Sequence, residues 1–413
     1  MFGHPHSKGC ALVAAILIAA WAAPARALDF DLSGYGDARI VSAPSMTGWL
    51  QGGLGKFRYG GGADMQFEGA VQGDLSVNDA FSVIALARAD EEQINGVDAL
   101  EAYLSWHPQS AGNLSWSVKA GAFFPTISLE NDDLGWTSPY TITYSAINSW
   151  IGEELRTIGT EGTLRLHADN LGSFSLIAAL DCCNDPAGAL MADRGWAMDD
   201  RPTGLFEQVR MPDATEKIFH APFPARTGLF DEIDHRAGWY GGLNWQMADV
   251  GKISVLRYDN DGDPSRQMGG LFAWDTKFWS FGARTGLGPL VLIAQQLTGY
   301  TSIERAPPVE QVTKFQSAFL LASYDLGGLG FDDWRASVRA DVFQTRHIAA
   351  TPSVMSEDGR ALTLALSWQP GVSFRLTGEA LLMHSRKGEY SFVGVPSGQL
   401  GQSQFQLDAK VFF

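Results

Sequence analysis

The stretch from Ser403 to Phe413 constrains the fold more than any other. Ser403, Phe405, Leu407, Ala409, Val411 and Phe413 alternate with Gln404, Gln406, Asp408, Lys410 and Phe412. An extended chain therefore places a mainly apolar row on one face and a mainly polar row on the other. A strand that closes a barrel in a bilayer needs this arrangement, with hydrocarbon outside, water inside and an aromatic ring at the boundary.

Segments of the same kind recur from Asp29 onward, and sixteen can be counted. The first eight are Phe30–Val41, Ala63–Ser76, Ala80–Ala89, Val97–His107, Leu114–Phe124, Leu155–His167, Ser173–Asp181 and Gly238–Gln246. The second eight are Lys252–Tyr258, Ala273–Thr285, Leu290–Ser302, Gln316–Leu326, Trp334–Arg346, Arg360–Gln369, Ser373–Ser385 and Gln402–Phe413. Short, turn-like gaps alternate with long ones throughout. A soluble sandwich has no reason for that alternation, whereas an antiparallel barrel with tight turns at one rim and long loops at the other requires it. The expected fold is all-β: a transmembrane antiparallel up-and-down barrel of sixteen strands.

Composition supports one large domain over residues 28–413. No Pro/Ser-rich linker divides it, and 18% charged residues is low for a surface facing only water. Residues 1–27 read as an export signal: Lys8, an apolar run from Ala11 to Ala23, and the small-x-small site Ala25-Arg26-Ala27. Without Lys8 and Arg26 the chain carries 28 basic and 46 acidic side chains, a net −18. That sign argues against nucleic acid as a partner. Cys182 and Cys183 are adjacent, so a disulfide between them costs backbone strain, and spaced ligands for a metal are missing. No metal or cofactor is expected.

On the apolar parity of their strands, Trp106, Trp116, Trp334, Trp368, Phe374 and Phe413 all fall beside a short turn or the C-terminus. Rings gathered at one depth form a girdle at a membrane boundary. The opposite parity collects charges that a dry core would not tolerate: Glu68, Arg88, Glu101, Arg165, Arg335, Arg339, Asp341, Arg375 and Glu379 among them. These residues are expected to form the wall of a water-filled lumen.

Residues 125–155 form a long acidic connection with Glu130, Asp132, Asp133, Glu153 and Glu154 and no Lys or Arg before Arg156. Its aromatic and aliphatic members suit packing against the inside of the wall, so the loop is expected to fold inward as the third external loop and constrict the lumen. Residues 184–237, with ten acids and six bases, are expected to be a long external loop over the mouth or against a neighbouring subunit.

The Phe-terminated last strand resembles the closing strand of Gram-negative outer-membrane barrels. The run Lys119-Ala-Gly-Ala-Phe-Phe-Pro-Thr-Ile-Ser-Leu-Glu130 is similar to the strand-to-loop stretch of relatives of the phosphate-selective porins. That resemblance implies a trimeric outer-membrane channel for small hydrophilic solutes. The acidic loop and the balanced wall depart from a strongly basic phosphate pathway.

The expected function is passive diffusion of small hydrophilic solutes or ions across the outer membrane, with membrane lipid, solutes and two further copies of the chain as partners. A substrate-specific uptake channel is the narrower alternative. Two other classes compete: an outer-membrane barrel enzyme and a secreted β-rich binding protein. The histidines His107, His167, His220, His235, His347 and His384 stand beside no nucleophile motif, so no enzyme is expected.

Overall fold

The computed structural model describes residues 28–413 apart from 93–94, 111, 220–223, 307–308 and 350–352. The expected export signal and His220 lie outside the described residues. Sixteen strands form one closed antiparallel barrel. They are β1 (Asp29–Ser42), β2 (Ala63–Asn78), β3 (Phe81–Asp90), β4 (Val97–Trp106), β5 (Leu114–Phe123), β6 (Thr157–Ala168), β7 (Gly172–Cys182) and β8 (Gly238–Met247). The ring continues with β9 (Gly251–Asp259), β10 (Asp275–Leu287), β11 (Leu290–Ala306), β12 (Val309–Asp325), β13 (Trp334–Ala349), β14 (Glu357–Trp368), β15 (Phe374–Lys387) and β16 (Gln399–Phe412). Each strand pairs with the next, and β16 returns to β1 in a register running from Tyr35 opposite Phe412 to Ser42 opposite Phe405. Closure removes the free edges that an open sheet would present.

The barrel inverts the usual distribution of polarity. On β16 and at the residue after it, Phe405, Leu407, Val411 and Phe413 are 53%, 48%, 52% and 64% exposed, while Gln404, Gln406, Asp408 and Lys410 are buried on the inner face. Rings gather outside at the rim with the short turns. Phe81 stacks on Trp106 at 5.6 Å, Trp106 meets Trp116 edge-on at 4.5 Å, and Trp368 lies 6.3 Å from Trp334 and 6.2 Å from Phe374. Each such pair adds about 0.5–1.5 kcal/mol beyond simple burial.

Phe413 seals the seam between the first and last strands. Its N–H donates to the Gly34 carbonyl at 3.0 Å, and its own carbonyl accepts from Gly34 N at 2.9 Å. A Cβ on Gly34 would lie 2.3 Å from the Phe413 ring and 2.8 Å from the Ala70 carbonyl oxygen. Gly34→Ala is expected to cost about 1–3 kcal/mol by overpacking, seen as a lower temperature for loss of the compact electrophoretic form; an unchanged temperature would mean that the seam is not closed in this way.

The short gaps implied by the sixteen segments, such as that between Ser76 and Ala80 and that between Gln369 and Ser373, fall between paired strands. The largest boundary difference is β12, which begins at Val309 rather than Gln316. Its added stretch carries Glu310 and Lys314 on the outer face, so the apolar alternation stops before the hydrogen-bonded ladder does.

The space inside is filled from the long-loop rim. Loop 1 (43–62), loop 3 (124–156) and loop 4 (183–237) all contribute fully buried side chains. Loop 3 carries helix α1 (Ala146–Glu154), and loop 4 carries α2 (Ala189–Asp193) and α3 (Ala214–Phe219). Phe57, Ile147, Trp150, Ile151, Met191, Trp196 and Met198 pack against Tyr258, Phe278, Ile293, Leu297, Phe315 and Leu321 of the wall. The inner faces of β9–β12 are therefore apolar where α1 and loop 4 rest on them, contrary to the expectation of a uniformly polar lumen. The helix needs that surface because every one of its residues is buried.

Candidate functional site

Loop 3 leaves β5 at Phe124, whose N–H donates to the Glu101 carboxylate at 2.8 Å. A chain held inside a barrel must satisfy its backbone on the wall, and inward side chains of β13–β15 provide the partners. Arg339 donates to the Glu130 carboxylate at 2.5 Å, to Asp341 at 2.9 Å, to the Thr143 carbonyl at 2.6 Å and to the Tyr144 carbonyl at 2.9 Å. Glu379 accepts from Ile142 N at 2.7 Å and Thr143 N at 3.2 Å, and Asp341 accepts from Ala146 N at 3.2 Å. Ser145 caps α1 by accepting from Asn148 N, and Glu130 accepts from Ser145 N at 3.0 Å. Asp133 pairs with Arg375 at 3.1 Å, and Asp132 pairs with Arg284 on β10.

Opposite this anchor, β1–β3 face loops 1 and 4 through a buried ionic network. Arg58 of loop 1 reaches Asp200 of loop 4 at 2.9 Å, Asp90 at 3.0 Å and Glu92 at 2.7 Å. Arg39 contacts Asp37 at 3.1 Å, Glu68 at 3.3 Å and also Asp200. Arg88 pairs with Glu68 and, at 2.9 Å, with Asp90, which Arg201 also reaches at 2.9 Å. A shared carboxylate between several guanidinia offsets the desolvation that an isolated buried charge would suffer.

Between the network and loop 3 lies a partly open cavity of about 20 Å³, with Arg39, Arg375, Lys410, Glu68, Asp200 and Asp408 on its walls. Three cations and three carboxylates face a space on the scale of a single water. At the rim with the short turns the interior widens to a cavity of about 670 Å³ lined by Thr163, Arg165, Ser175, Asn244, Gln246 and Lys252.

These contacts redraw several sequence expectations. Glu130, Asp132 and Asp133 do meet basic wall residues, but in direct ion pairs rather than across a gap. Glu153 and Glu154 turn away from the wall because they occupy the last turn of α1, which points at loop 4. Glu153 pairs with Arg194, while Glu154 accepts from Trp150 Nε1 at 2.5 Å and Leu190 N at 2.7 Å. Arg165 and Arg335 make no ion pair with the loop acids among the described residues; Arg165 donates to Ser175 at 3.3 Å, while Arg335 reaches Asp325 at 3.9 Å and lies 5.9 Å from the Tyr140 ring of loop 3. Arg88 faces loops 1 and 4 rather than loop 3. Loop 4, expected over the mouth, enters the barrel with Trp196, Asp200 and Arg201 fully buried or nearly so.

Sequence reading missed Arg39, Arg58, Asp200 and Lys410 as partners in one site. The alternation on β1 and β16 points Arg39 and Lys410 inward, but no local pattern reports that loops 1 and 4 share their pocket. Glu232 was likewise invisible: its carboxylate and the thiols of Cys182 and Cys183 lie within 4.8 Å of one another, although 49 residues separate Cys183 from Glu232.

A closed sixteen-strand barrel, apolar outside and ionic inside, with long loops packed into its lumen, is a barrel of the porin type. Its likeness to solved structures is one of fold. The outer membrane channel DcaP of Acinetobacter baumannii superposes with a TM-score of 0.55 at 11% identity, covering 94% of this chain and 97% of that one. OmpF of Salmonella typhi gives 0.52 at 14% identity, with 93% and 97% covered. OmpT, an outer membrane protein of Vibrio cholerae also described in a trimer form, gives 0.52 at 10% identity, with 94% and 99% covered. No protein-family model and no curated protein sequence matches the chain. The neighbours are outer-membrane channels and outer-membrane proteins in general and do not single out the phosphate-selective family.

Proposed function

We propose that the protein is an outer-membrane porin, a narrow aqueous path for small hydrophilic solutes, exported by its N-terminal segment and assembled as a homotrimer by analogy with its structural neighbours. The inverted polarity carries this reading: exposed aliphatic and aromatic side chains outside and ion pairs inside suit hydrocarbon around the barrel and water within it. The short turns then face the periplasm and the long loops the exterior. No catalytic step is assigned to any residue.

The constriction is the cavity lined by Arg39, Arg375, Lys410, Glu68, Asp200 and Asp408 and roofed by loop 3, in which Arg39 pairs directly with Glu68 and Asp200 and lies 3.8 Å from Asp408. The interleaved fixed charges there hold water and polar solutes and resist apolar solutes of similar size. A passage on the scale of one water favours the substrate-specific form of the channel, in which loop 4 shifts before a solute passes. Liposomes containing the folded protein are expected to swell with the smallest polyols and amino acids and hardly at all with disaccharides. Equal swelling with disaccharides would contradict the constriction, and no swelling with any solute would contradict the channel.

Two buried carboxyls of the plug carry a pH dependence: Glu154, where loop 3 meets Leu190 of loop 4, and Asp193, where loop 4 meets Arg305 of β11. Burial pushes the Glu154 carboxyl up to about 7 and that of Asp193 up to about 6. Both therefore keep in the packed state a proton that a free carboxyl has already lost. Their contribution to packing is complete below about pH 4 and is lost as pH rises through 6 and 7. Conductance is expected to rise between pH 5 and pH 8, and Glu154→Gln to flatten the upper part of that rise. Identical pH profiles would remove Glu154 from the gate.

A further inference from the structure

The end of β7 at the long-loop rim carries a set of donor atoms that the channel does not use. Side chains of neighbouring residues in an extended strand point to opposite faces, so the thiols of Cys182 and Cys183 would ordinarily stand apart. Cys183 instead has a φ of 69°, a left-handed conformation that a residue with a Cβ seldom adopts and that gathers at ligand clamps. The turn ends the alternation and leaves both sulfurs and the Glu232 carboxylate within 4.8 Å of one another. Glu232 comes from the far end of loop 4 and is fixed through both of its oxygens. Cys183 N donates to Oε2 at 3.0 Å and His235 N to Oε1 at 2.6 Å, while Asn184 and Asp231 form a β-bridge beside them. Backbone donors that hold a carboxylate in place are the support that a metal ligand needs.

Adjacent Cα atoms stand about 3.8 Å apart, short of the roughly 4.4–6.8 Å over which a disulfide closes easily. An ion shared by the two sulfurs avoids that strain. Donors about 2.0–2.3 Å from one tetrahedral ion sit roughly 3.3–3.8 Å from each other, which the present spacing allows. Two sulfurs and one oxygen select a soft cation over calcium or magnesium, which take oxygen ligands. The surroundings favour positive charge: Asp185 and Asp234 place oxygens within 4.8 Å of that of Glu232, and Asp231 precedes it. Arg236, the permanent base in residues 231–237, reaches away to Asp263 at 3.4 Å. Asp185 is already engaged by Ile233 N at 2.5 Å and Asp234 N at 3.0 Å, so an oxygen-only site on Asp185, Glu232 and Asp234 is the competitor to be tested with calcium.

We propose that Cys182, Cys183 and Glu232 bind one thiophilic divalent cation of the zinc and cadmium class, which clasps the two ends of loop 4 at its root. Each thiol gives up its proton and binds as a thiolate, and the fourth position is left to water. The third donor lies 49 residues beyond Cys183, so ligand spacing in the sequence does not announce the site. The inference rests neither on conduction nor on membrane placement. The reduced, folded protein is titrated with Cd²⁺ alone and read by the ultraviolet sulfur-to-cadmium charge-transfer band and by metal content after gel filtration. One Cd²⁺ per chain is expected, and Ca²⁺ in about hundredfold excess is expected to leave the band unchanged. Cys182→Ser with Cys183→Ser is expected to lose the band and about a hundredfold or more in affinity, and Glu232→Gln to keep the band while binding about tenfold more weakly. The compact electrophoretic form checks folding of each variant, and Cys182→Ser alone, with the same expected loss of affinity, replaces the double variant if that does not fold. Absence of the band, undiminished affinity in the cysteine variant, or displacement by calcium would each overturn the site. Conductance of the same samples separates the two readings: a conducting protein that binds no Cd²⁺ loses only the clasp, and a Cd²⁺-binding protein that conducts nothing loses only the channel.

Discussion

Arg339→Met is expected to release loop 3 from the wall and to raise single-channel conductance several-fold. The guanidinium is fully buried and binds Glu130, Asp341, Thr141 Oγ1, Thr363 Oγ1 and two loop carbonyls. Removing it leaves two carboxylates in a site closed to solvent, and breaking a buried ion pair on one side costs about 3–5 kcal/mol. That cost falls on the loop rather than the barrel, because the pairing of β13 with β12 and β14 is backbone to backbone. Combining Arg339→Met with Glu130→Gln is expected to be less disruptive than Arg339→Met alone, since both members of the pair are then neutral. An Arg339→Met channel with parental conductance would show that loop 3 is held by its apolar contacts alone.

Shortening loop 4 is expected to have the larger effect on permeation. Asp181 of β7 and Gly238 of β8 are register partners, so a short Gly/Ser linker can replace residues 186–230 without disturbing the barrel. The deletion removes Trp196 and Met198 from the apolar plug and Asp200 and Arg201 from the ionic network. It leaves Arg39 with Asp37 and Glu68, and Arg88 with Glu68 and Asp90, so the wall keeps its counter-charges. Liposome swelling should then extend to disaccharides. An unchanged size limit in a folded, trimmed barrel would place the barrier in loop 3 instead.

Most of the barrel was legible because alternation is a local signal. Each strand must show one face to hydrocarbon, so Phe405, Leu407 and Val411 declare their side without knowledge of the rest of the chain. The short gaps were equally readable, since Pro370-Gly371 or Asn78-Asp79 can hardly be anything but turns. The site was legible only in part. Arg339, Arg375, Glu130 and Asp133 could be named from parity and composition, but the pairing of Glu130 with Arg339 spans 209 residues and leaves no trace in spacing. Loop 4 was misplaced for a related reason. Its charges suggest solvent, yet Asp200 and Arg201 are neutralised by Arg39, Arg58, Asp90 and Glu207. A polar segment reads the same whether water or opposite charge satisfies it. The apolar inner faces of β9–β12 were missed because residues apolar on both sides blur the period that marks a strand's two faces.

Planar-bilayer recording of the purified, folded protein tests the central claim most directly. A charged passage lined by Arg39, Arg375, Lys410, Glu68, Asp200 and Asp408 predicts discrete ion-current steps, small in the parent and larger once loop 4 is trimmed. A protein that inserts fully yet carries no current in either form would contradict it, since the inner charges would then serve only to hold the loops in place.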